Sequence, residues 1–379
     1  MNDFFALEEK DIAFPTDYNS ILERINQINP IQYCKSRNFI DGAVTYLSPY
    51  ISRGVISVKQ VQDYVLAKGY SPATIEKFLQ ELAWREYFQR VWQVKGEALF
   101  EDLKQPHSDI VNRQMVAAIV GAKTGITAVD KLILDFYKTG YMHNHVRMYV
   151  ASIACNIAKA HWSVPAQWMY YHLLDGDLAS NTCSWQWVAG TFSSKKYYCN
   201  QENINRYTNT NQIHTFLDRP TETLNNMPVP DALNATVDLS LKTTLPNVPK
   251  PPIDANKPTL IYNSYNLDPH WRKNEDVNRI LLLEPSHFQK FPVSEKVLEF
   301  IVNLSLNIPS CQLMIGEVSE LKECYINSPL GKNVLISKEH PAFDYYPGMK
   351  DQRDWIYPEV VGYFNSFSSF WKKCTKFYK

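Results

Sequence analysis

The chain has 379 residues, enough for two domains with separate hydrophobic cores. Aromatic residues make up 13% of it and charged residues 21%, a balance that excludes a disordered chain. Lysine plus arginine and aspartate plus glutamate stand at 39 each, so net charge gives no support for a nucleic-acid partner, although a local basic face is compatible with it.

The N-terminal stretch MNDFFALEEKDIAF is acidic and lacks the basic and apolar regions of a secretion signal. No apolar run reaches membrane-spanning length. The seven cysteines are odd in number and form no Cys-x-x-Cys pair, which fits reduced thiols better than a disulfide framework or zinc knuckle. Together these features predict a cytoplasmic protein without a membrane partner.

Residues from about 20 to 200 read mainly as helices. Between Thr74 and Val94 the positions Ile75, Phe78, Leu79, Leu82, Ala83, Tyr87 and Val91 keep helical spacing. From Val146 to Ala160 the same spacing runs through Val150, Ile153, Ala154, Ile157 and Ala158. Prolines 220, 228, 230, 246, 249, 251, 252 and 258 then break any helix and predict a linker or surface strap over 216–258. Beyond it Thr259–Tyr262, Arg279–Glu284, Gln312–Gly316 and Asn333–Ser337 are short apolar runs bounded by turns. Between the second and third, Val293–Leu306 has helical spacing. Strands alternating with helices predict a parallel sheet with covered faces. The aromatic-rich tail 355–379 predicts a docking helix.

The densest polar chemistry lies in Gly140-Tyr-Met-His-Asn-His-Val-Arg-Met148 and Leu174-Asp-Gly-Asp-Leu-Ala-Ser-Asn-Thr-Cys-Ser-Trp-Gln-Trp187. Amide, guanidinium, carboxylate and indole groups gathered this way suit a large polar-aromatic ligand, and a flavin fits. Asp175 and Asp177 lack a His or Glu at ligand spacing, which disfavours a metal. They suit hydrogen bonding to ligand NH and OH groups, with Gly176 letting backbone come close. Arg147 and Asp175 can pair, either at a ligand or as an ordinary salt bridge between helices. Trp84, Trp92, Trp162, Trp185 and Trp187 can fill a core, while Trp185-Gln-Trp187 beside an acidic turn also suits stacking on a planar ligand. Thr45-Tyr-Leu-Ser-Pro49 offers hydroxyls and a helix start of the kind that cradles phosphate.

Four of these stretches resemble, in order and spacing, the motifs of the photolyase/cryptochrome flavin domain: Thr45–Pro49, Glu81-Leu-Ala-Trp-Arg-Glu-Tyr-Phe88, Thr139–Met148, and Asp175–Asn181 with Trp185-Gln-Trp187. The resemblance spans roughly residues 30 to 210. It implies an all-helical FAD-binding domain over 1–215, followed by the linker 216–258 and a smaller α/β, Rossmann-like domain over 259–379. Leu281–Pro285, Leu313–Gly316 and Val334–Pro341 loosely resemble, in order, strands of the family's antenna domain. That domain ordinarily precedes the flavin domain, and the resemblance implies that it stands here at the C-terminus; an unrelated α/β domain is the alternative. The antenna chromophore is left open.

Residue by residue, the resemblance implies FAD contacts from Tyr33, Thr45, Tyr46, Leu47, Ser48, Phe78, Arg85, Asn144, Arg147, Asp175, Gly176, Asp177 and Asn181. Asn181 faces flavin N5, and Phe78 stands where many relatives carry Trp. Glu81, Trp84, Asn144, Met148 and Trp187 match the pocket of the cyclobutane pyrimidine dimer photolyases, and the histidine pattern of the (6-4) relatives at Met142–Asn144 is absent. Trp185 and Trp162 match the electron relay. Its surface member falls near Asp109, where no Trp occurs, so either another aromatic such as Trp92 or Tyr137 substitutes or photoreduction is poor. DNA phosphates are assigned to Arg37, Arg53, Lys195 and Lys196, each of which also fits a solvated charge. The expected function is a monomeric, light-dependent photolyase for UV-damaged DNA. A cryptochrome-like photoreceptor is the rival, and an FAD-binding remnant without photochemistry is a third reading.

Overall fold

The computed structural model describes residues 12–325, 330 and 334–378. They form two compact units, both discontinuous in sequence: Met1–Phe14, Asn29–Val44 and Lys95–Ser240 in the first, and Pro15–Ile28, Thr45–Val94 and Leu241–Lys379 in the second.

The first unit is helical. In Thr127–Thr139 the buried Val129, Ile133 and Phe136 share one face, and Gly140 ends the helix with φ 71, its N–H donating to the Phe136 carbonyl at 2.8 Å. That left-handed cap admits glycine at little cost. Asn144–Ser152 runs directly into a π turn, Ile153–Ile157, in which every residue is buried. The predicted helix 146–160 is therefore present but widens in its second half, a distortion often found beside functional sites. Leu178–Ala189 starts at Asp177, whose carboxylate accepts from the Ser180 N–H at 2.7 Å, and stops at Gly190 with φ 82. Eight of its residues are buried, including Trp185 and Gln186, as expected of a helix enclosed on most sides.

The proline-rich stretch contributes one short antiparallel ladder, Met115–Val116 against Thr236–Val237, with a single-turn helix at Asp231–Leu233. From 238 to 258 it has no regular element.

The second unit contains the long helix Glu76–Lys95 up to Val94 and a five-stranded sheet. The strands are β1 (Thr259–Tyr262), β2 (Asn278–Leu283), β3 (Cys311–Ile315), β4 (Leu335–Lys338) and β5 (Met349–Asp351). All neighbours are parallel, in the order β3-β2-β1-β4-β5. Register pairs Ile261 with Ile280 and with Ser337. β1 is buried along its whole length and β2 at five of six positions, the pattern of a sheet covered on both faces. The helix Glu295–Ser305 begins at Ser294 and buries Val297, Leu298, Phe300, Ile301 and Leu304.

The four predicted strands are thus present with ends shifted by a residue or two; Asn333 lies outside the described residues. The strand Met349–Asp351 was not predicted, because three residues with one apolar side chain carry no periodic signal. The tail helix is Phe367–Cys374, bounded by a capping box at Ser366, rather than all of 355–379. Its approach is held by Glu86, whose buried carboxylate accepts from the N–H groups of Ile356 (2.7 Å) and Tyr357 (3.1 Å).

Buried histidines give the fold a pH dependence. Burial lowers the His107 and His143 imidazoles from 6.5 to about 4, and His287 to about 3. A folded-state value below the unfolded one contributes stability that is complete above pH 6.5 and lost as pH falls toward the folded value. Between about pH 6 and 4 each such histidine is expected to cost about 1.4 kcal/mol per pH unit. Urea midpoints measured across that range should fall steeply, and His287→Asn should flatten the slope; an unchanged slope contradicts the assignment.

Candidate functional site

Within the first unit, two turns bring the predicted flavin-contacting residues together. The Leu174 N–H donates to the Gly140 carbonyl at 2.8 Å, and a Cβ on Gly140 would lie 2.7 Å from Leu174 Cγ. This close approach sets the start of the helix Asn144–Ser152 beside the turn 174–177. Arg147 closes the arrangement. Its Nη2 donates to both carboxylate oxygens of Asp175, at 2.9 and 2.8 Å, while its Nε donates to the Met142 carbonyl at 2.8 Å. The Asp175 side chain is 4% exposed and that of Arg147 is 22% exposed. Tyr141 adds its ring, 5.7 Å from the guanidinium carbon.

Gly176 has a structural reason of its own. A Cβ there would meet the carbonyls of Leu173 and Tyr170 at 3.1 and 3.2 Å, so the turn packs against the helix Ser163–His172. Two residues past Asp177, on the helix it caps, Ala179 is fully buried, and the Ser180 Oγ that follows is buried without a partner. Asn181 donates from Nδ2 to the Ala166 carbonyl at 2.9 Å, which fixes the orientation of its amide. Asn144 is exposed, Met148 half-buried, and Trp187 is 38% exposed with Tyr197 at 5.9 Å. Trp185 and Trp162 are each 2% exposed and share one core cluster. Tyr33 and Arg37 sit on and just after the helix Pro30–Ser36. His143, neutral by burial, caps the helix through Nδ1, which accepts from the His145 N–H at 3.2 Å.

The second unit holds the other predicted residues. Tyr46 has φ 52, an uncommon conformation for a bulky residue, immediately before Leu47 and the five-residue helix Ser48–Ser52. Arg85 Nη2 donates to Ser52 Oγ at 2.9 Å, tying that helix to Glu76–Lys95. Thr45 Oγ1 accepts weakly from the Leu47 N–H at 3.4 Å. Phe78 is buried, and Glu81 and Trp84 are half-buried. Trp84 is not a bare platform. The Phe367 ring stacks on it at 3.9 Å and 10°, and Trp371 continues the stack at 6.2 Å and 13° from Phe367. The sequence carries no signal for that contact between residues 283 positions apart.

Two expectations need correction. Arg53 is fully buried, within 3.4 Å of the Ser264 carbonyl, and cannot serve as a surface contact for DNA phosphate. Lys196 is bound to Asp109 and to the Ser108 carbonyl, both at 3.1 Å, whereas Lys195 is exposed. Of the suggested relay substitutes, Tyr137 accepts from Trp168 Nε1 at 3.1 Å in the first unit, and Trp92 meets His340 edge-on at 5.3 Å in the second. Sequence reasoning missed Asp102, which accepts from Trp162 Nε1 at 2.7 Å. The described residues contain no cluster of metal-binding side chains, and no helix among them is long and apolar enough to cross a membrane.

Residues 78–235 match the family described as the FAD binding domain of DNA photolyase. That segment is similar in sequence to the flavin domain of DNA photolyases. A deoxyribodipyrimidine photo-lyase of Streptomyces griseus is 31% identical over 150 residues, 39% of this chain and 32% of the relative. One from Halobacterium salinarum is 28% identical over 223 residues, 55% of this chain and 46% of the relative. A cryptochrome of Synechocystis sp. PCC6803 aligns at TM-score 0.47 and 24% identity, over 52% of this chain and 44% of that one. The chain thus spans about a third to a half of the length of these curated relatives. FAD is the cofactor of the matched domain, and the residues present suit it: a buried ion pair, a second carboxylate at a helix start and an orphaned hydroxyl offer donors and acceptors to a large polar ligand.

Removing Arg147 leaves a nearly buried carboxylate without its cation. Arg147→Ala is expected to lower unfolding free energy by about 3 kcal/mol in urea denaturation, whereas Leu134→Ala, at an exposed position, should change it by less than about 0.5 kcal/mol. Arg147→Lys should recover only part, because an ammonium cannot serve Asp175 and the Met142 carbonyl with the same fixed geometry.

Proposed function

We propose that the chain is a light-dependent FAD photolyase that splits cyclobutane pyrimidine dimers in UV-damaged DNA. The observation that carries this reading is the Arg147–Asp175 pair, held beside the Asp177-capped helix inside the segment that matches the photolyase FAD domain. Relatives bearing the name deoxyribodipyrimidine photo-lyase over that region support it.

When bound, FAD in its reduced form would supply, under light, the electron that opens the dimer. The chain's own residues bind and orient. Tyr33, Asn144, Arg147, Asp175, Gly176, Asp177 and Asn181 are the proposed cofactor contacts. Glu81 hydrogen-bonds the pyrimidine edge; Trp84, Met148, Trp187 and Asn144 receive the extruded bases, as enzymes acting on flipped nucleotides require. Arg37 and the exposed Lys195 are the proposed phosphate contacts, so affinity should fall with salt. A monomer in the cytoplasm completes the reading.

We propose further that residues 259–379, reached through 216–258, serve as an antenna-type domain. The strand order β3-β2-β1-β4-β5 supports this, since parallel sheets bind ligands outside the carboxyl ends of their strands. Directly after β1 the side chains of Asn263, Ser264 and Asn266 hold buried polar atoms without partners. The chromophore is left unassigned.

One observation favours the second reading, a cryptochrome-like photoreceptor without repair: Phe367 covers a face of the Trp84 indole that a damaged base would use.

Purified protein carrying reduced FAD, illuminated with a dimer-containing oligonucleotide, tests the choice. The photolyase reading expects dimer loss, and expects Glu81→Ala to keep its flavin while splitting falls by about 100-fold, the lower range for a positioned proton-sharing group. An oligonucleotide left intact by the wild-type protein refutes repair and leaves the photoreceptor.

A further inference from the structure

Trp162, which the family resemblance assigns to an electron relay, is unusually placed for losing a proton. Its indole is 2% exposed, yet Nε1 donates to Asp102 Oδ1 at 2.7 Å. The other carboxylate oxygen, Oδ2, accepts from the His107 N–H at 2.9 Å, so both oxygens are engaged and the group cannot swing away. The loop that carries Asp102 is tethered to the helix bearing Trp185. Gln186, fully buried, donates from Nε2 to the Leu99 carbonyl at 2.9 Å and accepts from the Leu103 N–H at 2.9 Å. The N–H groups of Lys104 and Gln105 both point to the Thr191 carbonyl, at 2.9 and 3.3 Å. A charged acceptor is thereby held in place on the one polar atom of a nearly buried indole.

Two imidazoles stand near Asp102. His161 Nε2 lies 3.6 Å from Asp102 Oδ1, and its Nδ1 is bound to Ser163 Oγ at 2.8 Å. Burial lowers the His161 pKa and takes His107 down to about 4, so both imidazoles are neutral near neutral pH. Arg113 and Lys196 are the cations that act on this pair of histidines. The loop 102–109 is also where the surface member of a tryptophan relay is missing: Asp109 binds Lys196 there.

We infer that Asp102 is the proton acceptor that terminates electron transfer at Trp162. The inference rests on the flavin reading for its physiological oxidant, the photoexcited oxidised flavin. Trp185 gives one electron to that oxidant and is refilled by one electron from Trp162. Loss of an electron makes the Trp162 N–H strongly acidic, and the proton crosses the 2.7 Å hydrogen bond to Asp102 Oδ1. Trp162 becomes a neutral radical and Asp102 a neutral carboxylic acid; charge and proton balance within the pair. Returning the electron to Trp162 then requires the proton to return as well, which slows recombination and replaces the outer tryptophan. An exogenous thiolate, giving one electron as the proton returns from Asp102 to Trp162 Nε1, resets the pair.

The test oxidises the full-length chain in a laser flash with photogenerated ruthenium(III) tris-bipyridyl, which works with or without flavin. The Trp162-dependent part of the transient spectrum is obtained by subtracting Trp162→Phe. Wild type should show the neutral indolyl radical, with a decay slowed in deuterated solvent. Asp102→Asn, which keeps an oxygen acceptor but cannot take the proton, should show the radical cation and lose the deuterium dependence. Asp102→Glu should restore the neutral radical, and thermal melts of each variant confirm that it is folded. A neutral radical persisting in folded Asp102→Asn, or no Trp162-dependent signal at all, overturns the inference. Absence of FAD uptake by the same samples defeats the flavin reading alone, because the flash experiment decides the role of Asp102 independently.

Discussion

The salt link between Arg147 and Asp175 is the constraint from which the candidate cofactor region is built. A carboxylate this buried is costly to hold unless it is paired and hydrogen-bonded. Here one guanidinium nitrogen serves both oxygens while Nε is occupied by the Met142 carbonyl. Three chain segments must therefore stay in register: the turn after Gly140, the helix Asn144–Ser152 that follows it directly, and the turn before Leu178. Backbone contacts act in the same sense, through the hydrogen bond from Leu174 to Gly140 and the tight seat of Gly176 against Tyr170. The pair acts as a registry device rather than as a large source of stability, which is the better-supported use of buried ion pairs.

Much of this was legible from residue types. Gly140, the histidine-flanked Asn144, Arg147 and the Asp-Gly-Asp turn carry distinctive chemistry within short windows, and their partners lie on neighbouring helices. The parallel sheet was legible too, because β1 and β2 are buried on both faces and read as unbroken apolar runs. What escaped was set by contacts between distant residues. Arg53 looks like any surface cation in the sequence, but folds to full burial against the chain just after β1. Glu86 sits on the predicted helix face as an ordinary charge and proves to be the acceptor for the backbone at 356 and 357. Burial raises its carboxyl pKa, while those two N–H groups and Arg90 oppose the shift.

The units are also more interleaved in sequence than composition suggests. The proline-rich stretch marks a change of period, from helical spacing to strands, and that change is real. A change of period locates where secondary structure changes; it does not locate where contacts cluster. Residues 45–94 cluster with the sheet, and the tail helix packs onto that same part of the chain through Trp371 Nε1, which donates to Glu76 at 3.1 Å. Helical periodicity in 45–94 is blind to that choice, because an amphipathic helix reads the same whichever apolar surface it covers.

The buried tryptophans divide by the partner each indole N–H is given. Trp168 is fully enclosed and its N–H is satisfied by a neutral phenol, Tyr137, which suits a core residue. Trp162 is equally enclosed but is given a carboxylate. A neutral partner would satisfy the same indole at lower desolvation cost, since a charge near the core is expensive to keep. The selective placement of a negative charge on one buried tryptophan and a neutral hydroxyl on another is what sequence composition cannot express. It follows from Gln186 gripping the loop 99–103 from within the helix that also carries Trp185. The same twelve-residue helix thus fixes Asp177 at one end and, near the other, the backbone that presents Asp102, so both carboxylates are positioned by one rigid element.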